Sequence, residues 1–430
     1  MTEERIIRPA KNLYGSLRLL GDKSISHRYG MLAAFAEGTS RFTNFSTGAD
    51  CASTLSCMKA LGATVSRLAD GSVEVTGVAG RVTPSSAPLD CGNSGSTMRM
   101  ISGLLSPQQG RFTLVGDESL SRRPMQRIQQ PLAAMGARLT LTEGHAPLTI
   151  DGCPLTAIDY TTPVPSAQVK TCILLAGLQT AGTTTVREAV RTRDHSELAL
   201  RAFGATLTRT LDSVSISGPQ KLHAIDAAVP GDISSAAFFL CAAALFPGSS
   251  LVLDSLGLNP TRAALLDVLT SLGARISVLN LEEKNAELVG TVSVTAPADG
   301  LGSATISGAQ AALLIDELPV LAAIGPYTSG GIRIRDAKEL RVKESDRIAQ
   351  VAKNLRAMGA EVIEFEDGLD VPGGQRLHGA TIDPGGDHRI AMAFSVAALR
   401  AEGETLIQGA DSVAISFPEF FNLLDLVADR

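Results

Sequence analysis

The sequence predicts an α/β protein of two domains, each assembled from three copies of one strand–helix–strand–helix unit. Two recurring patterns carry that expectation. The first is an Ala/Leu/Met-rich helix, a glycine-containing turn and a β-branched strand, found six times. The second, in phase with it, is a helix that ends in an apolar residue followed by Gly-Ala and a strand.

Taken in order, the first pattern reads SISHRYGMLAAFAEGTSRF from Ser24, GSTMRMISGLLSPQQGRFTLV from Gly95 and SAQVKTCILLAGLQTAGTTTV from Ser166. It continues as ISSAAFFLCAAALFPGSSLVL from Ile233, AQAALLIDELPVLAAIGPYTSGGIRI from Ala309 and DHRIAMAFSVAALRAEGETLI from Asp387. The turn glycines Gly38, Gly110, Gly182, Gly248, Gly331 and Gly403 are 72, 72, 66, 83 and 72 residues apart. The second pattern gives LGATV at 61, MGARL at 135, FGATL at 203, LGARI at 272 and MGAEV at 358. Glycine fits a helix stop there because it takes the left-handed conformation without strain. The sixth copy is expected to stop in its second helix, PEFFNLLDLV.

A linear solenoid is disfavoured by the long period and by polar residues that differ from copy to copy. The stretches 17–26 and 227–236 look alike, as if both mark crossings between halves. Copies one to three are therefore expected in one domain, residues 22–230. Copies four to six and an N-terminal strand form the other, residues 1–21 and 231–430.

Composition is that of an ordinary globular protein, 44% hydrophobic and 19% charged. The formal charge, 38 − 44 = −6, argues against bulk attraction to nucleic acid or an anionic membrane. The six cysteines lack any CxxC spacing, so neither a disulfide framework nor a zinc site is expected. The N-terminal MTEERIIRPAKN has no signal-peptide core, and the longest apolar run, 236–246, is too short to span a bilayer. A cytoplasmic protein is expected. GxxxxGK[ST], GxGxxG and HExxH are absent, which speaks against standard ATP, NAD or zinc sites; no metal or cofactor is expected.

Chemistry concentrates at the helix starts. Gly-Asp-Lys-Ser-Ile-Ser-His-Arg (21–28), Gly-Asn-Ser-Gly-Ser-Thr-Met-Arg (92–99) and Pro-Ser-Ala-Gln-Val-Lys (165–170) each put free backbone N–H groups at a positive dipole end, with Lys or Arg nearby. Further cations lie in Arg122-Arg123-Pro-Met, Arg193-Asp194-His195, Arg341-Val-Lys343-Glu344-Ser-Asp346-Arg347 and Asp387-His388-Arg389. Guanidinium groups match phosphate and carboxylate bidentately, so a multi-anionic substrate follows. Asp316, Glu317 and Glu344 are the acid/base candidates among them, and Asp316 sits inside the apolar run LLIDELPVL.

Together GDKSISHR, GNSGSTMR, RRPM, SAQVK, RVKESDR and GDHRIAM resemble the 5-enolpyruvylshikimate-3-phosphate (EPSP) synthase family, from about residue 8 to residue 425. The resemblance implies the inverted, barrel-like α/β domain pair of the enolpyruvyl transferase fold, with six βαβαββ units, three per domain. It implies transfer of the enolpyruvyl group of phosphoenolpyruvate to the 5-hydroxyl of shikimate 3-phosphate, with release of phosphate. By position, Lys23, Ser24, Arg28, Ser166, Gln168, Arg193, Asp316 and Lys343 would hold shikimate 3-phosphate. Lys23, Gly95, Arg123, Gln168, Arg347 and Arg389 would hold phosphoenolpyruvate. Lys23, Asp316 and Glu344 would handle protons. Glyphosate is the implied inhibitor, and a monomer is expected.

Two positions depart from the family pattern: Ile415 stands where many members carry lysine, and His27 where some carry asparagine. The related UDP-N-acetylglucosamine enolpyruvyl transferases use a lid cysteine, which Gly116–Pro124 (GDESLSRRP) lacks. An inactive binding relative would be expected to have lost Lys23, Asp316 or Glu344; all three are present.

Overall fold

The computed structural model describes residues 3–430; Met1 and Thr2, with which the N-terminal stretch opens, lie outside them. The described chain forms two compact units. The central unit comprises Gly21–Val229 and Lys284–Glu287. The other, here the terminal unit, comprises the N-terminal segment up to Leu20, Pro230–Glu283 and Leu288–Arg430.

The second copy shows the common plan. Strand Leu89–Asp90, helix Gly95–Leu105 and strand Gly110–Val115 form a parallel crossover; helix Gln126–Ala134 and strands Arg138–Thr142 and His145–Gly152 follow. The first two strands pair parallel because a helix carries the chain back between them, and the last two add antiparallel through a tight turn. The third copy repeats this with Asp159–Thr162, Gly182–Glu188, Ser213–Gly218 and Leu207–Arg209. The first copy takes its leading strand from the end of the third, Asp226–Ala228 lying parallel to Thr39–Thr43.

The terminal unit uses the same scheme. Asn12–Arg18 lies parallel to Ser250–Gly257, Ala304–Ile306 to Ile332–Ile334, and Thr381–Ile382 to Thr405–Ile407. The sixth copy differs from expectation: its second helix, Phe420–Val427, is followed by a short strand, Ala428–Asp429, that pairs with Asn12–Arg18. A two-residue strand at the very end of the chain is too short to leave a periodic signal.

The glycine stops appear as read, with φ from +89° at Gly359 to +105° at Gly62. Inner helices meet closely: a Cβ on Gly103 would lie 1.9 Å from the carbonyl oxygen of Cys172, so Gly95–Leu105 and Ala167–Gly177 can touch only with glycine there. All twelve residues of Ile233–Ala244 are buried, as expected of a helix apolar on every side. Each unit closes its own hydrophobic core.

One expected helix is broken. The apolar run of the fifth copy forms helix Gly308–Leu313, a turn, and helix Leu318–Ile324. Pro319 has no N–H to continue the ladder, so it can only start the second helix. Asp316 and Glu317 occupy the interruption.

Candidate functional site

In the central unit the three loaded helix starts are real N-termini. Asp22 caps Lys23–Phe35 by accepting from the Ile25 N–H at 2.9 Å. Ser94 caps Gly95–Leu105 and Ser166 caps Ala167–Gly177. Each cap residue has non-helical backbone angles, so the following residue (Lys23, Gly95 or Ala167) opens its helix.

Around these starts the polar side chains are interlocked. Lys23 Nζ donates to Asp50 Oδ2 at 3.1 Å, which holds the ammonium in place. Arg28 is buried; its Nε donates to Ser196 Oγ at 2.7 Å, Nη1 to the Ser24 carbonyl at 2.8 Å and Nη2 to Thr171 Oγ1 at 3.2 Å. Gln168 accepts from Arg99 Nη1 at 2.6 Å and donates to Ser96 Oγ at 2.9 Å. Arg123, also buried, donates from Nη2 to Asn93 Oδ1 at 2.6 Å and to Ser119 Oγ at 3.1 Å. Its neighbour Arg122 is exposed and pairs with Glu118, so only one arginine of the pair joins the cluster. Arg193 precedes Asp194, which is held by Arg209 at 2.8 Å and Arg191 at 3.3 Å. His27 is buried with Nδ1 2.6 Å from Thr54 Oγ1; burial first, then Lys23 and Arg28, keep its pKa well below the ordinary value.

In the terminal unit, RVKESDR divides by role. Arg341 faces outward, donating to Asp346 at 2.7 Å and Glu364 at 3.1 Å, while Asp346 caps helix Arg347–Ala357. Arg347 is 1% exposed. Its Nε and Nη2 donate to Asp387 at 2.8 and 3.2 Å, Nη2 also to Glu344 Oε2 at 2.6 Å, and Nη1 to Asp316 Oδ1 at 3.4 Å. Burial works against the charged guanidinium, but the carboxylates, Asp387 foremost, outweigh it and push the Arg347 pKa up. Arg389 donates to the Asp316 carbonyl at 3.0 Å, with Nη2 3.9 Å from its carboxylate. Asp316 is thus met by both arginines. Burial lowers the Lys343 pKa, opposed first by Asp316 and then by Glu339.

The sequence-based residues therefore fall into two clusters. Lys23, Ser24, Arg28, Gly95, Arg123, Ser166, Gln168 and Arg193 lie in the central unit; Asp316, Lys343, Glu344, Arg347 and Arg389 lie in the terminal one. Glu317 is not presented like Asp316: it is 1% exposed and accepts a hydrogen bond from Ser234, which in turn accepts from Arg262. Ile415 ends the 3-10 turn Ala410–Ile415. Sequence reasoning missed Asp50, Asn93, Ser119 and the bracing role of Asp387. Two of them left a trace: Asp387 as an acidic N-cap directly before His-Arg, and Asn93 within the GNSGSTMR motif. Among the described residues, no group of three or more His, Cys, Asp or Glu side chains is placed to hold a metal ion, and no helix is long and apolar enough to cross a membrane.

These clusters lie within a chain whose relatives are well defined. The model of the EPSP synthase family, 3-phosphoshikimate 1-carboxyvinyltransferase, matches residues 7–424. Curated 3-phosphoshikimate 1-carboxyvinyltransferases from Koribacter versatilis and Solibacter usitatus are 65% and 53% identical, each across 99% of this chain and 99% and 100% of their own. The solved EPSP synthase of Acinetobacter baumannii is 39% identical with a TM-score of 0.86, covering 99% of this chain and 98% of that one. The enolpyruvyl transferase NikO of Streptomyces tendae, 22% identical, shares the fold at a TM-score of 0.79 over 100% of this chain and 98% of its own. The chain has the enolpyruvyl transferase fold and belongs to the EPSP synthase family, the 3-phosphoshikimate 1-carboxyvinyltransferases.

Proposed function

We propose that the protein transfers the enolpyruvyl group of phosphoenolpyruvate to shikimate 3-phosphate through the two clusters described above. The observation that carries the residue assignment is the arrangement around Asp316, where Arg347 and Arg389 converge and Glu344 is seated 2.6 Å from Arg347. Arg347, Arg389 and Arg123 grip the phosphate and carboxylate of phosphoenolpyruvate, and Gly95 and Gln168 approach it. Ser166 and Arg193 take the shikimate phosphate, with Ser24 and Arg28 beside them. Asp316 and Lys343 take the ring hydroxyls.

The 5-hydroxyl oxygen attacks C2 of phosphoenolpyruvate while C3 gains a proton, giving a tetrahedral ketal. Loss of phosphate from C2 and of a proton from C3 then restores the double bond. Glu344 gives and removes the C3 proton; Asp316 with Lys23 handles the hydroxyl proton. The arginines stabilise charge without reorganising, because carboxylates and amides already fix them. Phosphate release from phosphoenolpyruvate that requires added shikimate 3-phosphate tests the reaction; release without it, or none with it, refutes it. The chain is proposed to act in the cytoplasm, in keeping with its six unpaired cysteines. It is proposed to act as a monomer, since each unit closes its own core.

Glyphosate is proposed to compete with phosphoenolpyruvate at Gly95. A Cβ there would lie 2.8 Å from Arg99 Nη1 and 3.5 Å from Arg123 Nη1. Both are ends of flexible side chains, so Gly95→Ala is expected to fold. The methyl crowds the guanidinium pair on which an inhibitor longer than phosphoenolpyruvate must rest. An overpacked contact costs about 1–3 kcal/mol, so the wild type should be sensitive and the variant tolerant, with a smaller change for phosphoenolpyruvate. Equal inhibition constants for the two proteins would show that Gly95 does not set the length of the pocket.

A further inference from the structure

Directly after Arg193 and Asp194, three consecutive buried residues open helix His195–Ala202, each tied to a different partner. His195 Nδ1 lies 2.6 Å from Glu287 Oε1. Ser196 Oγ accepts from Arg28 and shares a hydrogen bond with Thr171. Glu197 Oε1 lies 2.9 Å from Lys170 Nζ.

Lys170 is 1% exposed and sits on helix Ala167–Gly177, four residues beyond its cap Ser166. Its ammonium also donates to Glu188 Oε2 at 2.8 Å. The other oxygen of Glu188 accepts from Thr192, the residue before Arg193. Arg193 is thus bracketed in sequence, by Thr192–Glu188 on one side and Glu197 on the other. Lys170 binds both brackets to the helix that begins at Ser166. One cation among two buried carboxylates is a costly choice where an apolar cluster of equal volume would pack as well, and burial pushes the Glu197 pKa up. What such a triad offers over apolar packing is a fixed geometry.

We propose that Lys170, Glu188 and Glu197 are positioning residues that set the distance between Ser166 and Arg193 and so tune the site for the phosphate of shikimate 3-phosphate. The inference rests on the reading that Ser166 and Arg193 hold that phosphate. None of the three acts on the reacting atoms, so their loss should weaken one substrate selectively.

The test measures shikimate 3-phosphate affinity by calorimetry, with kcat and the KM for phosphoenolpyruvate, on the full chain. Lys170→Met/Glu188→Gln removes both ion pairs of the ammonium at nearly constant volume. Misplacing binding groups is expected to weaken shikimate 3-phosphate at least about tenfold, with the other two parameters within about threefold. Lys170→Arg, which keeps the charge, should stay within about threefold of wild type in all three parameters. Glu197→Gln, an isostere expected to fold in any event, should weaken shikimate 3-phosphate about threefold or more, and it decides the matter if the double variant does not fold. Unchanged affinity in the folded variants, or a parallel loss for both substrates, overturns the proposal. Arg193→Ala separates it from its premise: if that change leaves shikimate 3-phosphate affinity intact, the phosphate-site reading itself fails.

Discussion

Glu344→Gln is expected to lower kcat by about 10²–10⁴-fold while the protein stays folded, because a positioned general acid–base contributes that much. The carboxylate is held 2.6 Å from Arg347 Nη2, and the amide has the same shape. Arg347 keeps its two hydrogen bonds to Asp387 in the variant, so the guanidinium is not left alone. Exchange of the C3 hydrogens of phosphoenolpyruvate in deuterated water should fall together with turnover. A variant retaining more than about a tenth of the wild-type kcat would remove Glu344 from the proton-transfer role. Lys23→Met should show a loss of similar size. It also strips the buried Asp50 of the Lys23 cation.

Asp387→Ala is expected to cost about 3–5 kcal/mol of stability, the range for breaking a buried ion pair by removing one partner. Asp387 is fully buried, binds Arg347 through both oxygens, accepts from Ser345 at 3.0 Å and caps helix His388–Ala398 by accepting from the Arg389 N–H at 3.0 Å. Its loss leaves Arg347 with Glu344 and the longer contact to Asp316. Asp387→Asn keeps the cap and should cost less, which separates the cap from the charge. Denaturant midpoints measure both, and a loss below about 1 kcal/mol for the alanine variant would show that Arg347 does not depend on Asp387. Burial first, and Glu344 after it, raise the Asp387 pKa, but Arg347 and His388 together outweigh them, so the folded value is depressed. The stability this carboxylate supplies is fully present above the ordinary carboxylate range and is lost as pH falls through the depressed folded value. Asp387→Asn should remove that part of the acid limb.

The repeat made most of the architecture readable, because six copies of a helix, a glycine turn and a strand reinforce one another where a single copy would be ambiguous. The left-handed glycines behaved as read, since that backbone conformation is a local property. The fifth helix did not. An apolar run such as LLIDELPVL looks continuous, while Pro319 divides it and sets Asp316 at the break. Likewise, no spacing or composition signal announces that Lys284–Glu287 belongs with the central unit. That placement comes with a pairing 92 residues apart in sequence, His195 with Glu287.

The sequence by itself determined the α/β class, the six-fold repeat and the family, and it named the cations proposed to meet the substrates. Each of these follows from short local motifs recurring in order along the chain, which the sequence preserves. Only the tertiary structure decided which charges have partners and what those partners do. Arg341 and Arg347 stand six residues apart in one basic motif, yet one braces the surface and the other is buried on Asp387. Asp316 and Glu317 are adjacent, yet one faces the two arginines while the other is turned into the core toward Ser234. The reason is that burial and the direction of a side chain depend on elements far away in the chain, which no local pattern records.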